Sequence, residues 1–267
     1  MKVESTMAVA WQHRALLLAL IQRDLKNRYA GSLAGVAWGI LHPLIMLAIY
    51  GLVFEHIFKV RVPQVVDNQP YVLFVATAMW PWLAFQEAVS RSVVAIQNNS
   101  AIVKKVSFPH ELLVLSTVLA SFFVQLVGYI LVMVLLYLWG LGIHFQNWPA
   151  MLLAMLSLFF AALSVAFVLA ALQVYVRDVE QLLSQVMNGL FYLSPILYTT
   201  ATVPHWMGEV MQWNPLVHML EPLRSALLNT SPADWLGQSL TLLACIFVFV
   251  ATRIFFNRLA KYFEDML

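Results

Sequence analysis

Charged residues are scarce in this chain, and motifs of several common protein classes are missing. Only 10% of the 267 residues are charged, whereas 62% are hydrophobic, a composition that is not typical of soluble domains. The single cysteine, Cys245, excludes an intramolecular disulfide and a zinc site built from cysteines. None of the ten glycines precedes a lysine, so the chain has no phosphate-binding P-loop. These absences favour an integral membrane protein that does not bind ATP through that motif.

Residue types that can take part in catalysis are dispersed along the chain rather than clustered. The seven histidines form no His-Glu-x-x-His pair, and no nucleophile, base and orienting group stand at adjacent positions. His42 and Glu87 are the ionisable residues that lie most nearly within apolar segments, where such groups usually have a function. Glu87 stands four residues before Arg91, which favours a local ion pair on one helix instead. The sequence therefore predicts no enzyme, no metal site and no cofactor.

Six apolar segments are long enough to cross a bilayer as helices. A hydrocarbon layer roughly 30 Å thick requires about 20 apolar residues in helical form, whereas the strands of a closed barrel are shorter and alternate in polarity. The predicted spans are residues 33–54, 71–90, 112–138, 151–175, 182–198 and 235–252. We expect an all-α integral membrane protein in which residues 1–267 form a single membrane domain.

Basic residues are distributed unevenly between the gaps of these spans. Only Lys59, Arg61 and Arg224 lie in one set of alternate gaps. The other twelve lie in the second set or at the chain ends: Lys2, Arg14, Arg23, Lys26, Arg28, Arg91, Lys104, Lys105, Arg177, Arg253, Arg258 and Lys261. The positive-inside rule places the richer set in the cytoplasm. We therefore expect a multi-pass protein of a bacterial inner membrane with both termini in the cytoplasm.

Residues 11–28 form a basic segment that precedes the first span. Its apolar core of seven residues is followed by charges rather than by a cleavage site, which argues against a signal peptide. On a helical projection Leu17, Leu18, Ile21 and Leu25 share one side. The segment is therefore predicted to be an amphipathic helix in the cytoplasmic interface. A frayed extension of the first span is the alternative.

Two connections between the predicted spans are longer than turns. Residues 91–111, on the cytoplasmic side, have a composition that is compatible with a helix. Residues 199–234, on the external side, are too rich in Trp, Met, Leu and Val for a loop in water. Pro215 disfavours helical geometry at Asn214. The external connection is therefore predicted to form two short helices that meet at Asn214 and dip back into the membrane.

Five segments along the chain resemble one protein family, in the order that the family has them. They are residues 23–44 (RDLKNRYAGSLAGVAWGILHPL), 73–92 (LFVATAMWPWLAFQEAVSRS), 98–116 (NNSAIVKKVSFPHELLVLS), 174–198 (VYVRDVEQLLSQVMNGLFYLSPILY) and 213–224 (WNPLVHMLEPLR). The family is the membrane subunit of ABC type 2 exporters of polysaccharides, namely O-antigen, capsule and teichoic acid. Two departures are Ala34, where the family usually has leucine, and residues 59–68, which match nothing in particular.

The resemblance implies an architecture and a set of partners. Family members have six spans with cytoplasmic ends, an N-terminal interface helix, a cytoplasmic coupling helix between spans two and three, and external re-entrant helices before span six. They are homodimers that bind two copies of a separate ABC ATPase subunit, which holds ATP and Mg²⁺. The implied cargo is a lipid-linked polysaccharide, with O-antigen favoured, that crosses the inner membrane through a channel between two copies. No nucleic acid is expected as a partner.

Two groups of cytoplasmic side chains receive roles from this resemblance. The first group would dock on the ATPase, where Ile102 and Phe108, together with the neighbouring Val103, would enter a cleft in that partner. This coupling group is Asn98, Asn99, Ile102, Lys104, Lys105 and Phe108. Anchoring of the two lysines to anionic headgroups is the alternative. The second group, Arg23, Asp24 and Arg28, would close a cytoplasmic gate through ion pairs or bind the pyrophosphate of the incoming lipid.

Two further groups are predicted within the membrane and at its external side. Aromatic residues that would line the channel are Trp80, Trp82, Phe85, Phe191, Tyr192 and Tyr198. For Trp80 and Trp82 an interfacial aromatic belt is an equal alternative. The external gate would comprise Trp213, Asn214, Pro215, Glu221 and Arg224. Glu209 is expected at the same exit, where Glu209, Glu221 and Arg224 would line the path or pair with one another.

Two other functions remain open at this point. An ABC type 2 permease for a drug or a small lipid would share the architecture, although such permeases usually have a larger external domain than these compact loops allow. A membrane-embedded enzyme that processes glycans would need clustered acidic or histidine residues at one membrane face, and the sequence shows no such cluster.

Overall fold

The structure is a computed structural model of the chain that describes residues 6–28, 30–31, 35–59, 70–106, 108–199 and 203–267. All regular secondary structure within these ranges is helical, which confirms the predicted all-α class. The predicted start of span one at Leu33 and nearly all of the segment 59–68 lie outside the described residues.

Twelve α-helices lie within the described residues, and they are numbered here in chain order. They are α1 (Thr6–Gln12), α2 (Arg14–Arg28), α3 (Trp38–Tyr50), α4 (Tyr71–Val93), α5 (Ser100–Val103), α6 (Glu111–Leu138), α7 (Trp148–Tyr175), α8 (Val179–Leu193), α9 (His205–Gln212), α10 (Val217–Leu228), α11 (Trp235–Leu259) and α12 (Phe263–Met266). A π-helical segment, Gly51–Ile57, continues α3 without a break.

Five helical segments in the described part of the chain are long and apolar enough to cross a membrane. They are Trp38–Ile57, Tyr71–Val93, Glu111–Leu138, Trp148–Tyr175 and Trp235–Met266. These segments correspond to the predicted spans one to four and six. The chain is therefore a multi-pass helical membrane protein.

The predicted fifth span, residues 182–198, is not one continuous helix. α8 has 15 residues and ends at Leu193, which is shorter than the roughly 20 residues that a span needs. Ser194 adopts an extended backbone with φ −106° and ψ 146°, because the ring of the following residue, Pro195, disfavours helical geometry before it. The helix therefore ends five residues before the predicted boundary at Tyr198.

α4 is the central helix of the bundle. It packs against α6, α7, α8 and α10, and most of its residues are buried. The first candidate span is only 17% buried and the last only 22%. These two spans therefore lie at the outside of the subunit, where lipid or a second protein chain can cover them.

The segment predicted as an interface helix is helical in α1 and α2. α2 packs on α6; on the predicted apolar side Leu17, Ile21 and Leu25 are half-buried, whereas Leu18 is exposed. The buried side also includes Leu20 and Arg28, because Arg28 finds ion-pair partners on the protein side.

Candidate functional site

Arg28 is the centre of a charged cluster that ties α2 to α4 and α6. Its Nε donates to Oδ2 of Asp24 at 2.9 Å, and its Nη1 donates to Oε1 of Glu87 at 2.7 Å. Its Nη2 donates to Oγ of Ser121 at 2.7 Å. The Arg28 side chain is only 2% exposed, and a buried guanidinium requires such a complete set of partners. The end of the bundle that holds this cluster is called the Arg28 end below.

Both carboxylates of this cluster have a second polar partner. Glu87 accepts a hydrogen bond from Nε2 of Gln125 at 2.6 Å, and Asp24 lies 3.6 Å from Nη2 of Arg91. The predicted pair between Glu87 and Arg91 on one helix is therefore wrong. Glu87 pairs with Arg28 of α2 instead, and Arg91 lies beside Asp24. We call Asp24, Arg28, Glu87, Arg91 and Gln125 the Arg28 cluster.

A cavity of about 400 Å³ opens beside the Arg28 cluster. Its walls include Arg28, Glu87 and Arg91 of the cluster together with Trp38 and His42. Arg91 is 37% exposed, and its Nε has no hydrogen-bond partner among the described residues. Arginine is well suited to bind phosphate or carboxylate oxygens through several donors at once. The cavity therefore has the chemistry to hold an anionic group beside a large indole ring.

Arg23 does not join this cluster, although the sequence grouped it with Asp24 and Arg28. Its Nη2 donates to Oδ1 of Asn99, and Nδ2 of Asn99 donates to the carbonyl of Ala95 at 2.7 Å. The predicted gate group therefore divides into two parts. Asp24 and Arg28 bind the membrane helices, whereas Arg23 binds the connection between α4 and α6.

The predicted coupling group lies on that connection and is only briefly helical. A 3-10 turn, Gln97–Asn99, precedes the single turn of α5. Asn98, Lys104 and Lys105 are exposed, and Ile102 is half-buried. These positions are available to a partner.

Two apolar residues of this connection correct the prediction. Val103 is 0% exposed, so the expectation that it enters a cleft in the ATPase is wrong: it packs into the core of its own subunit. Val106 is 53% exposed, and the sequence analysis did not select it. Phe108 is half-buried against His110, with ring centroids 5.4 Å apart. Val106 is therefore the most accessible large apolar side chain of the connection.

A second buried network, centred on Glu111, lies where this connection enters α6. Arg253 of α11 donates from Nε and Nη2 to the Glu111 carboxylate at 2.7 and 2.9 Å, and Nδ2 of Asn257 donates to it at 3.1 Å. Glu111 also stands in the first turn of α6, where negative charge is favoured by the helix dipole. The sequence analysis missed this network, because the two charged partners are 142 positions apart.

Neighbouring aromatic rings connect the same region to the C-terminal helices. The ring of His110 stacks on Phe263, with centroids 6.1 Å apart. Burial lowers the pKa of His110, against the opposing effects of Glu264 and the backbone of Ala260. Burial therefore favours the uncharged form of the imidazole, which suits its position between the rings of Phe108 and Phe263.

Three of the predicted channel aromatics are in the core of the subunit. Trp80, Trp82 and Phe85 are 0%, 1% and 4% exposed. Gly128 of α6 makes room for the indole of Trp80, because a Cβ at Gly128 would lie 3.0 Å from Nε1 of the indole. Because these rings are buried inside the subunit, the prediction that Trp80, Trp82 and Phe85 line a channel is wrong, and so is the alternative that Trp80 and Trp82 form an interfacial belt. All three belong to α4, most of whose residues are buried.

The other three predicted channel aromatics lie near the end of α8 and reach the surface. Tyr192 is 63% exposed, and its carbonyl accepts a hydrogen bond from the hydroxyl of Tyr198. Phe191 is half-buried, with its ring centroid 6.2 Å from that of Tyr50 and 6.0 Å from that of Trp82. These three rings remain available to a ligand.

α8 carries a stripe of exposed polar side chains that the sequence analysis did not identify. The stripe consists of Gln181, Ser184, Gln185 and Asn188 and continues to Tyr192. Spacings of three and four residues place them on one side of the helix, and the opposite side buries Leu183 and Met187. Amide groups are costly in hydrocarbon. The polar stripe of α8 therefore favours contact with water or with a polar partner over contact with lipid.

The segment that was predicted to form two short helices contains α9 and α10. α9 ends at Gln212 and α10 begins at Val217, so the break falls at Asn214 and the exposed Pro215. Nδ2 of Asn214 donates to Oγ of Ser194 at 3.1 Å and to the carbonyl of Leu193 at 3.3 Å. This break is therefore fastened to the end of α8. Trp213, beside it, is 89% exposed.

Glu209, Glu221 and Arg224 of this segment form no ion pair with one another among the described residues, contrary to one of the two predicted alternatives. Arg224 is buried, and its Nη2 donates to the carbonyl of Ile196 at 3.1 Å while its guanidinium lies 3.8 Å from the centre of the Phe74 ring. Glu209 lies 3.4 Å from His205 on the exposed side of α9. Arg224 and Glu221 instead line a common cavity, at what is called the Arg224 end below.

These features define a class of protein. The helical bundle has several apolar helices that can cross a membrane, a buried charge cluster at one end, and two short helices at the other. This arrangement is that of a multi-pass helical membrane protein whose two ends differ in structure. A profile of the ABC-2 type transporter family matches residues 15–228, and the chain belongs to this family. It is therefore a transport subunit rather than an enzyme, as the sequence predicted.

Curated relatives cover nearly the whole chain. An O-antigen export system permease protein RfbA of Klebsiella pneumoniae is 27% identical over 94% of this chain and 95% of the relative. The protein of the same name from Myxococcus xanthus is 27% identical over 96% of this chain and 97% of its own length. The polysialic acid transport protein KpsM of Escherichia coli is 22% identical over 79% of this chain and 80% of the relative.

Proposed function

We propose that this chain is the membrane subunit of an ATP-driven exporter that moves a lipid-linked polysaccharide across the bacterial inner membrane. O-antigen is the favoured cargo, because it is named in relatives that align over 94% and 96% of this chain, whereas the polysialic acid transporters align over 79%. In this proposal residues 1–267 form a single permease domain. ATP and Mg²⁺ are bound by a separate ABC ATPase, and this chain binds no cofactor.

The polar stripe of α8 is the observation that supports a glycan path. A polysaccharide is hydrated along its length, so its path needs amide and hydroxyl groups rather than hydrocarbon. Gln181, Gln185 and Asn188 supply such groups at one-turn intervals along the exposed side of α8. The accessible rings of Tyr192 and Tyr198 continue the path, and ring faces can stack on sugars of varied structure. A permease for a drug or a small lipid, the second candidate, needs a more apolar path.

A homodimer explains which surfaces are left uncovered in the single chain. The polar stripe of α8 faces away from the subunit core, and the first candidate span is only 17% buried. Its exposed residues include Ile45, Ile49 and Leu52. A second copy that packs on this span encloses the two stripes between the subunits and separates them from lipid. In this arrangement α8 and the residues up to Tyr198 cross the membrane as the fifth span in chain order, which is shorter than the other spans and raises their number from five to six.

An even number of crossings places both chain termini on one side of the membrane. We assign the Arg28 end to the cytoplasm, because it holds most of the basic residues, among them Arg23, Arg91, Lys104 and Arg253. α9 and α10 are then external. Burial of Met211, Leu216 and Leu220 supports the view that they dip back toward the membrane as a gate above the path.

The cavity beside the Arg28 cluster is the proposed entry point of the lipid-linked substrate. The pyrophosphate of the carrier lipid needs cationic donors at the depth of the headgroups. Nε of Arg91 has no hydrogen-bond partner within the described ranges, and His42 and Trp38 also line the cavity. Arg28 itself is already saturated by carboxylates, so its role here is to position α2 against this cavity.

The connection between α4 and α6 is the proposed docking site of the ATPase. Lys104 and Lys105 immediately precede the exposed Val106. The surface therefore offers a small apolar contact next to two positive charges. Two routes connect this contact to the membrane helices. Asn99 is bound to Arg23 of α2, and Glu111 is bound to Arg253 of α11. Movement of the ATPase on ATP binding can therefore bias both helices between two arrangements.

Val106→Asp should separate the permease from its ATPase without unfolding it. An unpaired carboxylate in an apolar contact costs at least about 2 kcal/mol, so we expect co-purification of the ATPase to fall by at least about tenfold. The amount of permease in the membrane should not change, because Val106 is 53% exposed. Co-purification and export are measured in the same cells.

Val176→Asp is the matched control, because Val176 is 51% exposed and lies at the same end of the bundle but outside the coupling connection. It should leave the complex intact. Phe108→Asp is less informative than its position suggests, since Phe108 is half-buried and the change also damages the permease. Full recovery of the ATPase with Val106→Asp would contradict docking at this site.

A further inference from the structure

A second cavity, of about 350 Å³, lies at the Arg224 end of the bundle. Side chains of α10, of the connection that follows it and of the first turns of α11 form its walls. Its polar members include Arg224, Glu221, Asp234, Gln238 and Thr241. The volume lies within the range of small-molecule sites. The cavity is on the opposite end of the subunit from the Arg28 cluster and is separate from the polar stripe of α8.

Arg224 is buried beside this cavity with most of its donors unused. The side chain is 7% exposed. Among the described residues only its Nη2 has a hydrogen-bond acceptor, the carbonyl of Ile196, and its Nε has none. A guanidinium carries five N–H donors, and buried donors in proteins nearly always have acceptors. The position of Arg224 therefore indicates that a further acceptor occupies the cavity when the protein works.

Gln238, which lines the same cavity from α11, is also a buried polar side chain that lacks hydrogen-bond partners among the described residues. It is 5% exposed, and its side chain makes no hydrogen bond within the described part of the chain, so that Oε1 is buried without a donor. The backbone around it is regular, because Asp234 caps the first turn of α11 through the N–H of Gly237 at 3.0 Å. A buried amide without partners has no structural benefit for α11. It can instead donate to and accept from a ligand.

The charges around the cavity determine which ligand chemistry fits. One cation, Arg224, stands with two carboxylates, Glu221 and Asp234, so an anion such as phosphate is disfavoured. Closely spaced donors and acceptors suit a neutral molecule whose hydroxyl groups both donate and accept. We infer that this cavity is a binding site for one or two sugar units of a glycan. The inference rests on the proposed function, since it assigns those units to the polymer that leaves the channel.

The test captures the natural ligand during export. A photoreactive amino acid replaces His218, which is exposed at the cavity wall, in cells whose export of glycan is measured in parallel. Illumination should produce a ladder of permease bands that carry glycan, detected by hydrazide labelling after periodate oxidation. Gln238→Leu should reduce this glycan-bearing fraction about tenfold, because two hydrogen bonds are lost. The amount of permease in the membrane should stay constant, since the Gln238 side chain makes no hydrogen bond to the described residues.

Ser239→Leu is the matched control, because Ser239 is the next residue of α11 and is exposed outside the cavity. It should leave the ladder unchanged. A cell that exports normally but gives no glycan on the probe at position 218, or the same ladder with Gln238→Leu, overturns the inference and leaves the proposed function intact. Loss of the proposed function has a different signature, namely cells in which deletion of this chain does not change export.

Discussion

Arg28→Met should abolish export and destabilise the subunit. The change keeps much of the apolar stem but removes the cation that binds Asp24 and Glu87, at 2% exposure. Removing one partner of a fully buried pair costs roughly 3–5 kcal/mol. Here the expected loss is about 2 kcal/mol, because both carboxylates are about a quarter exposed and solvent screens them. Surface glycan and the amount of permease in the membrane are the two measurements.

A second substitution separates the structural role of Arg28 from its functional one. Glu87→Gln in the Arg28→Met background removes the uncompensated carboxylate, so the amount of folded permease should recover. Export should not recover, because α2 is no longer held against the cavity beside the cluster. Lys26→Met is the control on the same helix, since Lys26 is exposed and belongs neither to the Arg28 cluster nor to the bond between Arg23 and Asn99, and it should retain most of the export. Normal export with Arg28→Met would exclude the cluster from the transport cycle.

Cross-linking the break between α9 and α10 to the end of α8 should stop export reversibly. Nδ2 of Asn214 lies 3.1 Å from Oγ of Ser194, so cysteines at these two positions are close enough for a short bifunctional thiol reagent. The background carries Cys245→Ser, because Cys245 is the single native cysteine. If the break between α9 and α10 opens to release polymer, the cross-linked protein should export at least about tenfold less than the unlinked protein. A cleavable reagent should restore export on reduction.

Cysteines at His205 and Glu209 provide the matched control for this experiment. These side chains lie 3.4 Å apart within α9, so the same reagent links two positions on one helix without joining α9 to α8. Export should continue. Undiminished export through the Asn214–Ser194 link would show that this contact does not open, and the gate would have to lie elsewhere.

Apolar length and proline positions made much of the fold predictable. Spans one to four and six followed from runs of about 20 apolar residues, because a bilayer imposes that length on any helix. The break at Asn214 followed from Pro215 by the local geometry before a proline. The same rule applied to Pro195 would have ended α8 at Leu193, but the continuing apolar run up to Tyr198 favoured a longer helix. Local rules therefore succeeded where one effect acted alone.

Contacts between distant elements were not predictable from one sequence. Glu87 was expected to pair with Arg91, but it binds Arg28, which is 59 positions away in the sequence. Glu111 binds Arg253, which is 142 positions away. Neither spacing is a pattern that a helix produces. Trp80 and Trp82 were assigned to a channel or a belt because composition does not distinguish a central helix from a peripheral one. The polar stripe of α8 was visible as a spacing of three and four residues, but its apolar neighbours Leu182 and Val186 concealed it.

The most direct test of the account is ATP-dependent transfer of a lipid-linked polysaccharide in a purified system. This chain and its ABC ATPase are reconstituted into liposomes whose outer leaflet presents the substrate to the Arg28 end, and glycan that becomes protected inside the vesicles is measured. We expect protected glycan only with hydrolysable ATP, and loss of that signal with Val106→Asp in the permease. Equal protection without ATP, or no protection while the complex hydrolyses ATP and binds the substrate, would contradict it.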